Sequence, residues 1–159
     1  MTDVLPSRCS PSSGALACRP VDGPAELAVH FAVRRAVFVD EQGLFDLDDR
    51  DAYDVAAATV HVLGLVAAVP AGTVRLYPLG QGLWKGDRLA VLPEHRRAGI
   101  GGPLVRLAVR TAGALGGTVM VAQVQAPNVP FFLGLDWSCD GAPADHLGML
   151  HQQMSIALR

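Results

Sequence analysis

The chain has 159 residues and a formal net charge of −2; half of it is hydrophobic and 18% is charged. That length suits one ordinary domain with a single core, which excludes wholesale disorder. The acidic balance excludes a general nucleic-acid binder. The longest apolar stretch, residues 55–69, is interrupted by Thr59 and His61 and is shorter than the roughly 20 residues of a membrane-spanning helix.

Residues 1–14 are rich in Ser, Pro and Gly and read as a flexible tail ahead of one domain over 15–159. Residues 1–10 lack an apolar h-region, so a cytoplasmic location is expected. Cys9, Cys18 and Cys139 match neither a disulfide framework nor a zinc pattern and read as reduced thiols, and no metal site is expected. Residues 15–21 predict a strand. Residues 24–38 predict a helix, with Pro24 near its start and Leu27, Phe31, Arg34 and Phe38 at helical spacing. Residues 40–54 form an acidic stretch, carrying Asp40, Glu41, Asp46, Asp48, Asp49, Asp51 and Asp54 against Arg50, and read as an exposed loop. Strands are expected at 55–63, at 72–79 (closed by Pro78) and at 84–91 (ended by Pro93). Residues 103–115 predict a helix with Leu104, Leu107, Ala108, Ala112 and Leu115 on one face, stopped by Gly116 and Gly117. A buried strand at 118–124, a short helix at 128–133 and strands at 135–139 and 150–158 complete a mixed α/β order with helices on both sides of a sheet.

The motif that stands out runs from Leu89 to Pro103: a strand end, a turn carrying Arg96, Arg97, Gly99, Gly101 and Gly102, then a helix start. Glycines let a ligand approach the backbone. The helix N-terminus presents unpaired N–H groups and the positive end of a dipole, and the arginines add full charge, so the segment reads as a pyrophosphate site. No Lys-Ser/Thr follows the glycines, which excludes a Walker A loop. The glycine spacing is not GxGxxG, and the chain about 20 residues on, around Met120, is apolar rather than acidic.

Arg96-x-x-Gly99-x-Gly101 resembles the Q/R-x-x-G-x-G/A signature of the GCN5-related N-acetyltransferases (GNAT). Leu89-Ala90-Val91-x-Pro93 is similar to that family's fourth strand, and the run from Asn128 to Trp137 to its later "N…FYxxLGF" element. The segments "RRAVFVDEQGLFDLDDRD" and "GMLHQQM" look most like a bacterial branch with a VF…EQ signature. The resemblance implies the acyl-CoA N-acyltransferase fold: α/β (α+β), with a central mixed, mostly antiparallel, splayed sheet of about six to seven strands flanked by helices. It also implies acetyl-CoA as cosubstrate and a small-molecule amine as acceptor, attacked directly in a ternary complex. Backbone groups of Arg97, Ala98, Gly99, Ile100, Gly101 and Gly102, beside Arg96, would bind the pyrophosphate. Leu89 and Val91 would pair with the pantetheine arm as an added strand, Asn128 would hydrogen-bond that arm, and Phe132 would pack on it. A homodimer is a common arrangement in the family; neither a nucleic-acid nor a membrane partner is expected.

Three positions depart from the family pattern, one of them Asp136, which replaces the glycine of the "LGF" element. Phe132 stands where the family's proton-donating Tyr is usual, and Lys85 stands where some members place a Glu. Asp87 is the nearest carboxylate facing the same way by strand alternation. Asp87, Glu41 and His151 are therefore the candidate bases for deprotonating the amine. Gln123 and Gln125 read as polar cleft residues, Trp84, Trp137 and His61 as core, and His30, His95 and His146 as surface or rim. Two other readings remain open. One is a non-catalytic CoA sensor, motivated by Phe132 and Lys85. The other is an acyl-homoserine-lactone-synthase-like enzyme, motivated by Arg34-x-x-x-Phe38 before acidic residues, although Leu44 occupies the region where a Trp is expected.

Overall fold

A computed structural model describes residues 14–146 and 148–159. Apart from Gly14, the tail expected at 1–14, with Cys9, lies outside the described residues. The strands form one sheet in the order β1 (Leu16–Pro20), β2 (Val60–Val66), β3 (Val69–Gly80), β4 (Leu83–Val91), β5 (Val119–Gln125), β8 (Met149–Ala157) and β6 (Ser138–Cys139), with β7 (Ala144–His146) also pairing β8. Every pairing is antiparallel except that of β4 with β5. Among the described residues the sheet thus has eight strands rather than six or seven. The extra one, β7, is too short to leave an alternating pattern in the sequence.

Local sequence accounts for the turns. The β2–β3 hairpin turns over Ala67 and Ala68, both at positive φ, and the β3–β4 hairpin over Gln81 and Gly82. Positive φ at both central residues matches the twist of the flanking strands. β2 begins at Val60 rather than at 55, because Asp51 caps a 3₁₀ turn at Ala52–Val55 through the N–H of Tyr53 and leaves Val55 outside the sheet. β3 carries Pro78 near its end, opposite Trp84.

Helices α1 (Gly23–Arg35) and α2 (Gly101–Ala114) cover opposite faces of the sheet. α2 buries Leu104, Val105, Ala108 and Ala112 against Val62, Leu76, Trp84 and Met120. It lies close because β2 and β3 have glycines beneath it. A Cβ on Gly64 would stand 2.9 Å from Ile100 Cγ1, and one on Gly72 would stand 2.9 Å from both the Ala90 carbonyl oxygen and Leu104 Cδ1. A third helix, α3 (Val129–Leu133), follows β5.

α1 continues into a π-helical turn, Ala36–Glu41, and carries a buried polar face. His30, expected at the surface, is completely buried: its Nδ1 lies 3.1 Å from the Val62 carbonyl and its Nε2 lies 3.3 Å from Nδ1 of His61. Burial, the neighbouring His61 and the Arg34 charge depress its pKa from 6.5 to about 3. The acidic stretch is likewise not simply an exposed loop. Arg34 donates to Asp49 (2.7 Å) and to both oxygens of Asp54 (2.7 and 3.1 Å). Arg75 on β3 bridges Asp51, Asp54 and Asp87 at 2.6 to 3.0 Å. Arginine forks on α1 and β3 pull the loop inward, since buried guanidinium groups need carboxylate partners. Burial raises the pKa of Asp54, but the Arg34 guanidinium outweighs that and holds the carboxyl well below the usual range.

The same network supports an irregularity that shapes the sheet. The β3–β4 register shifts between Thr73/Ala90 and Arg75/Asp87, which leaves one extra residue in β4. Arg88 sits in this bulge with φ +52, a left-handed conformation that a side chain adopts only when it is held there. Thr73 Oγ1 donates to the Arg88 carbonyl (2.9 Å), and the Arg88 guanidinium donates to the Asp49 carbonyl (2.8 Å) and pairs with its carboxylate (3.0 Å). On its other side β4 pairs with β5 only at Leu83–Val119, Trp84–Met120 and Lys85–Val121. Beyond Lys85 the two strands part.

Two outcomes are expected. Gly72→Ala forces a Cβ onto the backbone oxygen of Ala90 and destabilises the fold by about 1–3 kcal/mol, read from the urea midpoint. His30 is held neutral, with a folded pKa below its unfolded value. Its contribution to stability is therefore present above pH 6.5 and is lost as pH falls toward about 3. Asp54, also depressed when folded, loses its contribution below about pH 4, near its ordinary value. Unfolding free energy measured against pH should decline from about pH 6.5 downward, with the upper part of the decline shallower in His30→Gln.

Candidate active site

The gap between β4 and β5 opens into a cleft of about 500 Å³. Its floor is where the strands part, at Lys85, Gly86 and Met120, and Phe38, Leu44 and Phe45 from the segment after α1 wall one side. The opposite side carries Gln123, Gln125 and Asn128, then Phe132 and Trp137, and Asp145, His146 and His151 from β7 and β8. Gln125 Nε2 donates to Gln42 Oε1 (3.0 Å), which ties the end of β5 to the segment after α1.

The β4 edge from Gly86 to Val91 has no partner strand on its β5 side. It includes Leu89, which lines the cleft, and Val91. An extended chain can add to such an edge through main-chain hydrogen bonds. The strand then leads into the glycine turn. Pro93–Ala98 forms a 3₁₀ turn ended by Gly99 at φ +80, where a side chain would be strained. Ile100 is buried and anchors the turn, and Gly101 and Gly102 open α2 with its N-terminal N–H groups unpaired. Arg97 makes no ion pair among the described residues, whereas Arg96 donates to the Val91 carbonyl (3.1 Å) and forks onto Glu41 (Nη1–Oε2 2.8 Å). An uncharged arm along β4 followed by a pyrophosphate at this turn therefore fits the residues present.

The structure separates the three candidate bases. Glu41 is outside the cleft, on the turn side; its hydrogen bond to Arg96 holds its carboxyl below the usual range and makes it a poor proton acceptor. Asp87 lines the cleft, but its carboxylate receives Arg75 Nε (2.7 Å) and Nη2 (2.6 Å), with the Tyr77 hydroxyl at 3.4 Å. Burial and the Asp87 charge push the Tyr77 phenol up, so it stays protonated. His151 lines the cleft with Nδ1 2.9 Å from the Met149 carbonyl. A carbonyl only accepts, so Nδ1 is the nitrogen that carries the proton in the neutral ring, and Nε2 is the one left to accept.

Asn128 heads α3 at the cleft wall. Phe132 is 6% exposed and meets Trp137 edge to face at 5.2 Å. Trp137, expected in the core, is 4% exposed and also lines the cleft; its Nε1 is buried without a hydrogen-bond partner. Trp84 is core, and His61 is half-buried against His30. His95 is part-exposed on the Pro93–Ala98 turn, and His146 is exposed at the cleft rim. Sequence reasoning missed the Arg88 bulge, Tyr77 and Asp145. The first depends on register and the other two on pairing between distant segments. Among the described residues no group of His, Cys, Asp and Glu is placed to hold a metal, and no helix is long and apolar enough to cross a membrane.

The profile of the acetyltransferase (GNAT) family matches residues 27–134. A Bacillus subtilis protein described as an acetyltransferase is 32% identical over 88 residues, which is 55% of this chain and 59% of that one. The uncharacterized N-acetyltransferase YjcF of the same organism is 33% identical over 104 residues, 64% of this chain and 71% of its own. The alignments thus span between about three-fifths and seven-tenths of these relatives. A crystal structure from Lactobacillus plantarum, described as an N-acetyltransferase, superposes with a TM-score of 0.81 at 23% identity, covering 91% of this chain and 99% of that one. The splayed sheet and the glycine turn are thus those of a chain that belongs to the GNAT family of acetyltransferases.

Proposed function

We propose that the protein transfers an acetyl group from acetyl-CoA to the amine of a small molecule, by direct attack in a ternary complex. The observation that carries this reading is the wedge between β4 and β5, which ends against the turn of Gly99, Gly101 and Gly102. An acyl-CoA is both long and anionic at one end, and this arrangement offers a strand edge followed by an anion site. When bound, acetyl-CoA supplies an activated thioester.

The chain's own residues would act as follows. Leu89 and Val91 offer main-chain groups to the arm, and the N–H groups from Arg97 to Gly102 meet the pyrophosphate. A backbone N–H on the free β4 edge stabilises the charge that develops on the carbonyl oxygen. A free alkyl ammonium has a pKa near 10, so the acceptor must lose a proton before it attacks. His151 Nε2 is the better-placed base, because Asp87 is occupied by Arg75 and Glu41 by Arg96. Phe132 has no hydroxyl, so the departing thiolate leaves without a side-chain donor at that position.

The Phe132 observation also favours a second reading, a CoA-binding module without turnover. The synthase-like reading rests on Arg34 and Phe38. Arg34 is a buried ion-pair hub and Phe38 a cleft wall, roles that suit either acyl-transfer reading. Longer acyl chains transferred faster than acetyl would favour the synthase-like reading.

CoA and acetyl-CoA should each raise the melting temperature, and Gly101→Glu should abolish the shift. A Cβ at Gly101 comes no nearer than 3.4 Å to Phe131, so the fold accepts the residue while its carboxylate repels the pyrophosphate. An unchanged shift would remove the turn from the binding site. Thiol release from acetyl-CoA across a varied amine panel should then show turnover, with His151→Gln lowering kcat while leaving the CoA-induced melting shift in place. Tight CoA binding without release across the panel would favour the sensor.

A further inference from the structure

The cleft holds one charge that the acyl-transfer reading leaves unused. Lys85 is the chain's only lysine. It is the last β4 residue paired with β5, opposite Val121, and it lines the cleft where the strands part. Its charged neighbours on β4 are already matched. Asp87 is held by Arg75 at 2.6 and 2.7 Å, and Arg88 pairs with Asp49 at 3.0 Å and Asp51 at 3.4 Å. Lys85 forms no ion pair or hydrogen bond with any described residue. A half-buried ammonium without a counter-charge is costly, and a bound anion would relieve that cost.

The anion cannot be the cofactor's pyrophosphate. From Lys85 to the end of β4 at Val91 is six residues of nearly extended strand, roughly 20 Å, and the glycine turn is farther on. The part of an acyl-CoA that would reach Lys85 is the uncharged thioester end. The partner of Lys85 therefore arrives with the acceptor.

We infer that the acceptor is an amine that also carries a carboxylate, which Lys85 receives at the floor of the cleft. Lys85 thereby sets which amines the cleft accepts. The inference rests on the acyl-transfer reading and narrows it from amines in general to amino-acid-like molecules. Asp145, whose exposed carboxylate accepts from the Gly148 N–H (3.1 Å), adds a negative charge on the β7 side of the same cleft, the sign complementary to the amine of such a molecule.

The test uses matched acceptors: an amino acid, its amide and its methyl ester, each with acetyl-CoA and the full-length protein. The free carboxylate should be preferred by about ten- to a hundredfold in kcat/KM, the range of a charge-assisted hydrogen bond. Lys85→Met should erase the preference by raising KM for the carboxylate form, leaving the ester and the KM for acetyl-CoA unchanged. Lys85→Arg should restore most of it. Calorimetric binding of the same acceptors to CoA-saturated protein gives the comparison without turnover. Carboxylate binding that depends on Lys85, without thiol release, would overturn the transferase reading while sustaining this subsite. Equal handling of acid, amide and ester, equal loss of all three in Lys85→Met, or no binding of any carboxylate-bearing amine would overturn the subsite.

Discussion

The site exists because two parallel strands in the middle of the sheet stay paired for only three residues. A continuous sheet would satisfy every backbone group of β4 and leave no room for a ligand. Here β4 bulges at Arg88 and separates from β5 after Lys85, so its outer edge is free while β3 still holds its inner edge. One strand is thus paired along one side and open to the cleft along the other.

That separation has to be held open. The left-handed Arg88 is fixed by Thr73 and Asp49, Asp49 is fixed by Arg34, and Arg34 shares Asp54 with Arg75. Arg75 in turn orients Asp87 on the cleft wall. The acidic segment is therefore a buttress that connects α1 to β3 and β4, and its carboxylates are mostly committed to arginines. Buried guanidinium groups are tolerated at such a cost because the network fixes one conformation of a strained strand. It also commits the Asp87 carboxylate on the cleft wall to Arg75.

The glycine turn is less dependent on distant parts of the chain. Gly99 in the left-handed region, Ile100 as a buried plug and the start of α2 follow one another in the sequence, so local rules predict their shape. The helices and most strands were legible in the same way, from apolar periodicity, prolines and hairpin turns. The errors came where distant residues decide. His30 reads as a rim histidine until it meets Val62 and His61, the acidic stretch reads as solvated until Arg34 and Arg75 reach it, and the start of β2 is displaced by a cap from Asp51.

The amino-acid sequence by itself determined the fold class, the glycine turn and the oddity of a single lysine, because each is written in adjacent residues. Only the tertiary structure decided that the lysine lines the cleft without an ion pair among the described residues, that Glu41 is spent on Arg96 and Asp87 on Arg75, and that Nδ1 of His151 is turned to the Met149 carbonyl. The physical reason is that ion pairing and strand register are contests among residues far apart in the chain. Their outcome depends on which charges the fold brings within about 3 Å of one another.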